Sequence, residues 1–195
     1  MRIAFKEWAV VVDALGRGEQ ILILRKGGLR EGGGGFQVEY PRFVFFPTLF
    51  HQQRESVLPG AQARFDEIAP HFPAVDRLRL EFFARAIDGR KLDSLATAKC
   101  LRGQHVWRDA VIAERFDWGK ERNIHALAVR VFRLPQAVEL PVRPAYGGCK
   151  SWVELEQDIV VDGAEPVLNE SEFAERLGRF QGALSAAGVV AGGAP

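Results

Sequence analysis

The stretch RLRLEFFARA, residues 77–86, decides the fold. Its apolar residues alternate with arginine and glutamate, which is the two-residue period of a half-buried strand with a basic outer face. Asp88 and Gly89 follow and predict a turn. Residues 92–101 are then expected to be the second arm of an antiparallel hairpin.

Similar patterns upstream and downstream predict the other elements. Pro47 interrupts the strand expected at residues 43–50, which predicts an edge or bulged strand there. Four consecutive glycines predict a mobile surface loop at 32–35, and three prolines a connecting segment at 59–73. Further strands are expected at residues 20–26, 36–40, 43–50, 124–134 and 152–161, with helical spacing at 6–15, 105–116 and 173–184.

The last helix carries a capping box, Asn169 with Glu172 three residues later. Two clear helices, about seven strands and no regular βαβ alternation predict an α+β fold. We expect a mixed or mostly antiparallel sheet, which could curl into a small barrel. The chain is expected to be one domain over residues 1–184, with an Ala/Gly-rich flexible tail at 185–195.

Composition limits the class of protein. Hydrophobic residues make up 47% and charged residues 26%, as in globular proteins. Charges near the N-terminus and the lack of any run of 18 apolar residues argue against a signal peptide and a membrane span. Cys100 and Cys149 are too few for a disulfide scaffold, so a reducing cytoplasm is the expected location.

Arginine dominates the positive charge, with 20 of the 26 basic residues. Its planar guanidinium suits phosphate and base recognition, but a GC-rich genome enriches arginine as well. The formal net charge of +1 provides no strong electrostatic footprint for nucleic acid. Both explanations stay open at this point.

Known catalytic and cofactor motifs are absent from the sequence. It has no His-Glu-x-x-His, no Gly-x-Ser-x-Gly, no Walker lysine and no dinucleotide glycine spacing. No lysine has an acidic residue two positions before it, so a nuclease of the Asp...Glu-x-Lys kind would need a migrated motif. Neither a metal site nor a cofactor is expected.

Three groups of residues remain as candidates, each with a structural alternative. Arg25 and Lys26 end a strand beside two glycines and could bind phosphate, or could be a solvated strand end. His51 could act as a general base, or serve as a structural histidine. Cys149 precedes Lys150, which could lower its pKa and make it nucleophilic, although a small buried cysteine at a turn is the commoner case.

Four stretches together resemble an uncharacterised bacterial family catalogued as domain of unknown function 1802. The similarity covers about residues 4–160, and it implies a link to DNA modification or restriction. The stretches are Phe5-Lys6-Glu7-Trp8-Ala9, the run from Gln20 to Gly28, Phe46-Pro47-Thr48 to His51-Gln52, and the run from Gly148 to Leu155.

The first helix, Gly18 and the strand ending in Arg25-Lys26 are also similar to the start of ASCH and PUA-like barrels. That similarity implies a basic and aromatic cleft for RNA or a modified base. Stacking could come from Trp107, Trp118, Tyr146 and Trp152, each of which could instead be a core residue.

Two classes of function follow from these residues. A third possibility is an interaction module that has no ligand pocket. The first hypothesis is a non-catalytic domain that binds nucleic acid (RNA or DNA) or a modified nucleotide. The rival is an enzyme, either a diverged nuclease in DNA restriction, modification or repair, or a small-molecule enzyme that uses His51 and Cys149. The ligand-binding residues of the first hypothesis are Arg25, Lys26, His51, Gln52, Lys150 and Trp152.

Overall fold

Two long antiparallel strands, of 16 and 18 residues, form the centre of the molecule. The structure is a computed structural model, which describes residues 1–26, 31–32, 35–36, 39–49, 53–148 and 150–189. The strands are β1 (Ile3–Trp8), β2 (Leu22–Arg25), β3 (Glu31–Gly32), β4 (Gly35–Phe36), β5 (Arg42–Thr48), β6 (Arg77–Leu92), β7 (Ile124–Pro141), β8 (Trp152–Glu154) and β9 (Glu165–Pro166). The helices are α1 (Ala9–Gly16), α2 (Pro59–Ile68), α3 (Leu95–Lys99), α4 (Asp109–Asp117) and α5 (Glu170–Ala186).

Seven strands join in one open sheet, in the order β2-β7-β6-β5-β1-β8, with β9 paired to β7. Only the β1–β5 pair is parallel among the pairs between the strands given above. The predicted α+β class with a mostly antiparallel sheet is therefore confirmed. The short strands β3 and β4 pair only with each other, so the loop predicted at 32–35 begins and ends in strand.

The hairpin predicted at Asp88-Gly89 is wrong. Strand β6 continues through both residues to Leu92, with Gly89 opposite Leu127 of β7. The Asp88 carboxylate accepts two hydrogen bonds from Arg90, at 2.5 and 2.7 Å, and one from Gln181 of α5 at 3.0 Å. These contacts satisfy a residue that otherwise favours turns. The residues after β6 form the short helix α3 rather than a second strand.

The N-terminal element also differs from the prediction. The chain begins with a strand to Trp8 and only then forms a helix, because β1 pairs with β5 on one side and β8 on the other. Helix α1 ends at Gly16, where a Cβ atom would lie 2.3 Å from the Phe82 ring. A second correction concerns residues 59–68, which form α2 with Pro59 in its first turn, where the missing N–H costs nothing.

Three strand boundaries need adjustment. Strand β7 passes through Pro135 and reaches Pro141, and β8 ends at Glu154 rather than at residue 161. Pro47 pairs with Glu7 of β1, while the β5–β6 register covers only Arg42 to Val44. The edge or bulged strand predicted at Pro47 is wrong, because β5 lies between β6 and β1 without a register shift. Pro47 lies beyond the part of β5 that pairs with β6, so its missing N–H breaks no hydrogen bond to β6.

The sheet has an apolar core on each face. Phe43 and Phe45 belong to one core, with Leu15 of α1, whereas Val44 and Phe46 belong to the other, which residues 140–159 cover. Alternate side chains of a strand point to opposite faces, so a strand buried on both faces is a continuous apolar run. That explains the unbroken sequence from Phe43 to Phe46.

The capping box predicted for the last helix is confirmed. Asn169 Oδ1 accepts a hydrogen bond from the Glu172 backbone N–H at 2.9 Å, and the Glu172 carboxylate accepts one from the Asn169 N–H at 3.1 Å. Helix α5 continues to Ala186, and residues 190–195 of the predicted tail lie outside the described residues. Over the described part of the chain, every helix is too short or too polar to cross a membrane.

Candidate functional site

Arg25 lies where the last residue of β2 approaches β1 and the start of β8. Its Nη1 atom donates a hydrogen bond to the Lys6 carbonyl oxygen, and its Nη2 atom donates one to Ser151 Oγ at 3.2 Å. The guanidinium carbon is 4.8 Å from the centre of the Phe5 ring. Because β2 and β8 end the strand order, these contacts show that the sheet curls until its two edges meet at this side chain.

A buried charged group surrounds this contact, and we call Glu7, Arg25, Arg115, Trp8 and Trp107 the Arg25 cluster. Arg25 Nη1 is 3.9 Å from Glu7 Oε2, and the Glu7 side chain is only 3% exposed. Arg115 Nη1 donates to the Leu24 carbonyl oxygen at 2.7 Å. The Arg115 guanidinium carbon lies 4.7 Å from the Trp8 ring centre and 5.2 Å from that of Trp107.

The Arg25 cluster contains two guanidinium groups and one carboxylate. Burial lowers the pKa of Arg115, and Arg25 lowers it further, while the Glu7 carboxylate raises it. Arginine begins from so high a pKa that both guanidinium groups stay charged at neutral pH. The cluster therefore has a net positive charge next to two indole rings.

Two buried acceptors in this region lack a hydrogen-bond donor among the described residues, Glu7 Oε2 and Gln53 Oε1. The other Glu7 oxygen accepts from the Trp8 N–H at 2.8 Å. Gln53 is fully buried, and its Nε2 donates to the Thr48 carbonyl oxygen at 2.8 Å. Thr48 Oγ1 in turn donates to the Glu7 carbonyl oxygen at 3.1 Å, which links the two residues. An unpaired buried acceptor costs about 1–3 kcal/mol, so each oxygen would be stabilised by a further N–H or O–H donor.

The predicted residues Lys150 and Trp152 lie at the same end of the sheet as Arg25. They flank Ser151, whose hydroxyl accepts the hydrogen bond from Arg25. Lys150 is exposed. Trp152 is half-buried, with its ring centre 4.5 Å from that of Phe5 and 5.2 Å from that of Tyr40.

Lys26 points to another part of the molecule. Its Nζ atom donates to the carbonyl oxygens of Phe116, Glu121 and Asn123, the first at 3.2 Å and the last at 2.9 Å. Consecutive side chains of an extended chain point to opposite sides, so the Lys26 side chain just after β2 points away from that of Arg25. Lys26 thus fastens the connection between α4 and β7 to the end of β2.

The remaining predicted residues fall into two groups. His51, Gln52 and Cys149 lie outside the described residues, and their roles stay predictions. Of the candidate stacking residues, Trp107 and Tyr146 are buried, while Trp118 is 70% exposed. The Tyr146 hydroxyl accepts a hydrogen bond from the Glu156 N–H at 3.0 Å.

Sequence reasoning missed Glu7 and Arg115. The sequence predicts that Lys6-Glu7-Trp8 begins a helix, where a glutamate is common, so Glu7 gave no signal of a site. In a strand between two others, an inward carboxylate after Phe5 is a signal for a buried ion pair. Arg115 carries no comparable signal, because only the fold brings it near β1.

A separate cleft of about 760 Å³ lies between α1, α2 and the sheet. None of the predicted ligand-binding residues that the structure describes lines it. Val12, Phe45 and Phe82 contribute apolar surface, and Arg64, Arg79 and Arg133 contribute charge. No group of three or more His, Cys, Asp or Glu side chains suited to a metal occurs among the residues that the structure describes.

Comparison with known proteins identifies the family. A family model described as "Domain of unknown function (DUF1802)" matches residues 4–179, so the chain belongs to that family. A search of curated protein sequences found no match.

Two solved structures are similar, the ASCH protein of Zymomonas mobilis and a point mutant of it. The mutant shares 13% identity and the unmutated protein 11%, each with a TM-score of 0.43. Both alignments cover 90% of this chain, with 94% of the mutant chain and 92% of the other. ASCH proteins are the second kind that the sequence resembles, and likeness at this level says nothing about ligand or activity.

Substitution of Lys26 tests its fastening role. We expect Lys26→Met to lower the free energy of unfolding by about 1–3 kcal/mol, because several carbonyl oxygens lose a charged donor. Urea denaturation measures the change. Lys120→Met is the matched control, since Lys120 is an exposed lysine of the same connection. Equal stability of the two variants would show that the Lys26 contacts contribute nothing.

His105 packs beside the Arg25 cluster, with its ring centre 5.6 Å from that of Trp107. Burial lowers the pKa of its imidazole to about 4; Arg115 acts in the same direction, and Asp109 opposes it. The folded-state pKa is thus below the unfolded value near 6.5, so protonation favours the unfolded chain. The stability that neutral His105 contributes is complete above pH 6.5 and is lost as the pH falls towards 4.

A pH series should show this loss. Between pH 7 and pH 4 we expect the wild-type chain to lose about 3 kcal/mol more unfolding free energy than His105→Gln. Urea denaturation at several pH values measures both proteins, with His71→Gln as the control at an exposed histidine. Parallel pH profiles for wild type and His105→Gln would contradict the assignment.

Proposed function

We propose that this member of the family binds nucleic acid or a modified nucleotide at the Arg25 cluster, without catalysis. One observation supports the proposal above all: the buried acceptors Glu7 Oε2 and Gln53 Oε1 lie in a region of net positive charge beside indole rings. This combination suits a ligand that has N–H donors, a flat ring and negative charge.

A nucleobase with an exocyclic amino group meets the first two requirements. Carboxylate and amide oxygens accept hydrogen bonds from the amino groups of cytosine and adenine. Thymine and uracil lack such a group and present carbonyl oxygens instead. Aromatic side chains contribute stacking that every base can use. The acceptors therefore favour cytosine or adenine over thymine.

Arginine and lysine side chains at this end of the sheet supply phosphate contacts. Lys150 is exposed beside Ser151, and Arg25 adds charge within the cluster. His51 and Gln52 are proposed as further contacts on the strength of the sequence alone. We assign no phosphate to Lys26, because carbonyl oxygens of the chain occupy its ammonium group.

Homopolymeric oligonucleotides provide the test. We expect the wild-type protein to bind single-stranded oligo(dC) or oligo(dA) more tightly than oligo(dT). Glu7→Gln should reduce the affinity for the preferred oligonucleotide by about tenfold, as loss of a base contact does, and leave oligo(dT) binding unchanged. Fluorescence anisotropy measures the dissociation constants.

Glu154→Gln is the control, because Glu154 is an exposed glutamate on the neighbouring strand β8. Thermal denaturation shows whether each variant is folded. Equal binding of all three homopolymers, unaffected by Glu7→Gln, would refute base recognition at this site.

The cleft between α1, α2 and the sheet favours a second function, binding of a small anion with an apolar body. Its volume is within the range of ligand sites. Arg64 binds Asp13 through two hydrogen bonds of 2.9 Å, and Arg79 binds Glu81 at 2.7 Å. Arg133 stacks on Phe82 at 4.7 Å and has no carboxylate within ion-pair distance in the described part of the chain.

Octanoate is a suitable probe for this cleft. We expect octanoate to raise the melting temperature more than octanol does, and Arg133→Gln to abolish the difference, since the carboxylate would lose its cation. Arg179→Gln is the control, because Arg179 is an exposed arginine of α5. Equal effects of octanoate and octanol on the wild type would contradict charge recognition.

The enzyme hypothesis stays a hypothesis from the sequence, either as a diverged nuclease in DNA restriction, modification or repair or as a small-molecule enzyme that uses His51 and Cys149. The same holds for the cytoplasmic location, which follows from the cysteine content, and for a single domain over residues 1–184.

A further inference from the structure

Three arginines lie side by side across the middle of the sheet. Arg42 of β5 is directly opposite Arg85 of β6, and Arg85 is directly opposite Arg130 of β7. Directly opposite residues on neighbouring strands point to the same face, about 5 Å apart. We call Arg42, Arg85 and Arg130 the arginine row.

Arginines at the start of β6 form ion pairs with glutamates of the sheet. Among the described residues, no glutamate of the sheet forms an ion pair with the arginine row. At the start of β6, Arg79 lies 2.7 Å from Glu81 and 3.5 Å from Glu139, and Arg77 lies 3.5 Å from Glu139. Arg130 forms an ion pair with the exposed Glu170 at 3.0 Å, donates a hydrogen bond to the Leu168 carbonyl oxygen at 3.5 Å and packs on the Phe173 ring at 4.7 Å.

Arg42 and Arg85 are both exposed, and neither has a hydrogen bond or an ion pair with any described residue. Like charges directly opposite each other destabilise a sheet, so this arrangement costs folding free energy that a carboxylate partner would offset. A ligand of opposite charge would offset it as well.

Aromatic rings hold the two unpaired arginines in place. The Arg42 guanidinium carbon is 5.9 Å from the Phe83 ring centre, and that of Arg85 is 5.1 Å from the Phe132 ring centre. The two phenylalanine rings stack on each other at 4.7 Å, with an angle of 9° between their planes. Contact with a ring face orders a guanidinium without using its N–H donors, which stay available for phosphate oxygens.

We propose that the arginine row is a contact surface for the phosphate backbone of a nucleic acid, on the face of the sheet opposite to that of the Arg25 cluster. Phosphate backbones present closely spaced single charges, and arginine binds phosphate through two parallel hydrogen bonds. The row begins two residues after Tyr40, whose ring packs against Trp152 at the end of the sheet where Arg25 lies. This inference rests on the proposed function, because it assigns a backbone path to the same ligand.

A salt series on the double variant Arg42→Gln/Arg85→Gln tests the inference. Each phosphate contact on a single strand contributes about 0.7 to the slope of log affinity against log salt, so we expect the slope to fall by about 1.4. The loss of affinity should be the same for oligo(dC) and oligo(dT), since backbone contacts do not read sequence. Arg77→Gln/Arg143→Gln is the matched control, with two exposed arginines that already have carboxylate partners, and it should leave the slope unchanged.

Thermal denaturation confirms folding of the double variant, which we expect to be at least as stable as the wild type, because two opposed like charges are removed. An unchanged slope in a protein that still binds oligonucleotides overturns the arginine row and leaves the proposed function in place. A reduced slope, with Glu7→Gln showing no effect, supports the row and refutes base recognition. Failure of the wild-type protein to bind any oligonucleotide overturns both proposals.

Polyglutamate serves as a competitor in the same assay. Displacement of the oligonucleotide by polyglutamate at equal charge concentration would assign the row to an acidic protein surface and overturn the phosphate assignment. We expect inorganic polyphosphate to compete and polyglutamate to compete weakly, because carboxylates on flexible side chains lack the close spacing of a phosphate chain.

Discussion

The hydrogen bonds from Arg25 to the Lys6 carbonyl oxygen and to Ser151 hold the two edges of the sheet together. Strand β2 has a backbone partner on one side, β7, and its other edge faces β1 without a ladder among the described residues. An unpaired edge exposes N–H and C=O groups that attract other chains. The Arg25 guanidinium has several N–H donors. One side chain can therefore bond both to the backbone of β1 and to the hydroxyl of Ser151 next to β8, which bridges the gap.

Because a charged residue joins the two edges of the sheet, the interior at this end contains charged and polar groups. A guanidinium under the edge of the sheet needs negative charge nearby, which Glu7 supplies at 3.9 Å. Arg115 enters the same space from α4 and is accommodated between two indole rings. The polar character of the Arg25 cluster is therefore a consequence of how the sheet closes, and any ligand there would bind to groups that also maintain the fold. Desolvation makes each of these interactions stronger than it would be in water.

The sequence predicted the elements whose signals are local and missed those that depend on distant partners. The alternation in residues 77–86 and the capping box at Asn169 need only their own neighbours to be recognised, and both predictions were correct. Asp88-Gly89 was taken for a turn because the partners that satisfy Asp88 in a strand include Gln181, 93 residues away. The sequence grouped Arg25, Lys26, His51, Gln52, Lys150 and Trp152 as one site. In the structure Arg25, Lys150 and Trp152 lie at one end of the sheet and Lys26 points elsewhere, while His51 and Gln52 lie outside the described residues. Glu7 and Arg115 could not be found in this way, since nothing local distinguishes a buried ion pair from a solvated one.

Arg25 and Lys26 are consecutive, yet they are attached to different parts of the molecule. One is bonded to β1 and to Ser151, and the other to the carbonyl oxygens of the connection between α4 and β7. The peptide unit between them therefore joins two attachment points on different elements. Displacement of the β2 terminus would strain the hydrogen bonds at both points at once, although the second lies 90 or more residues along the chain.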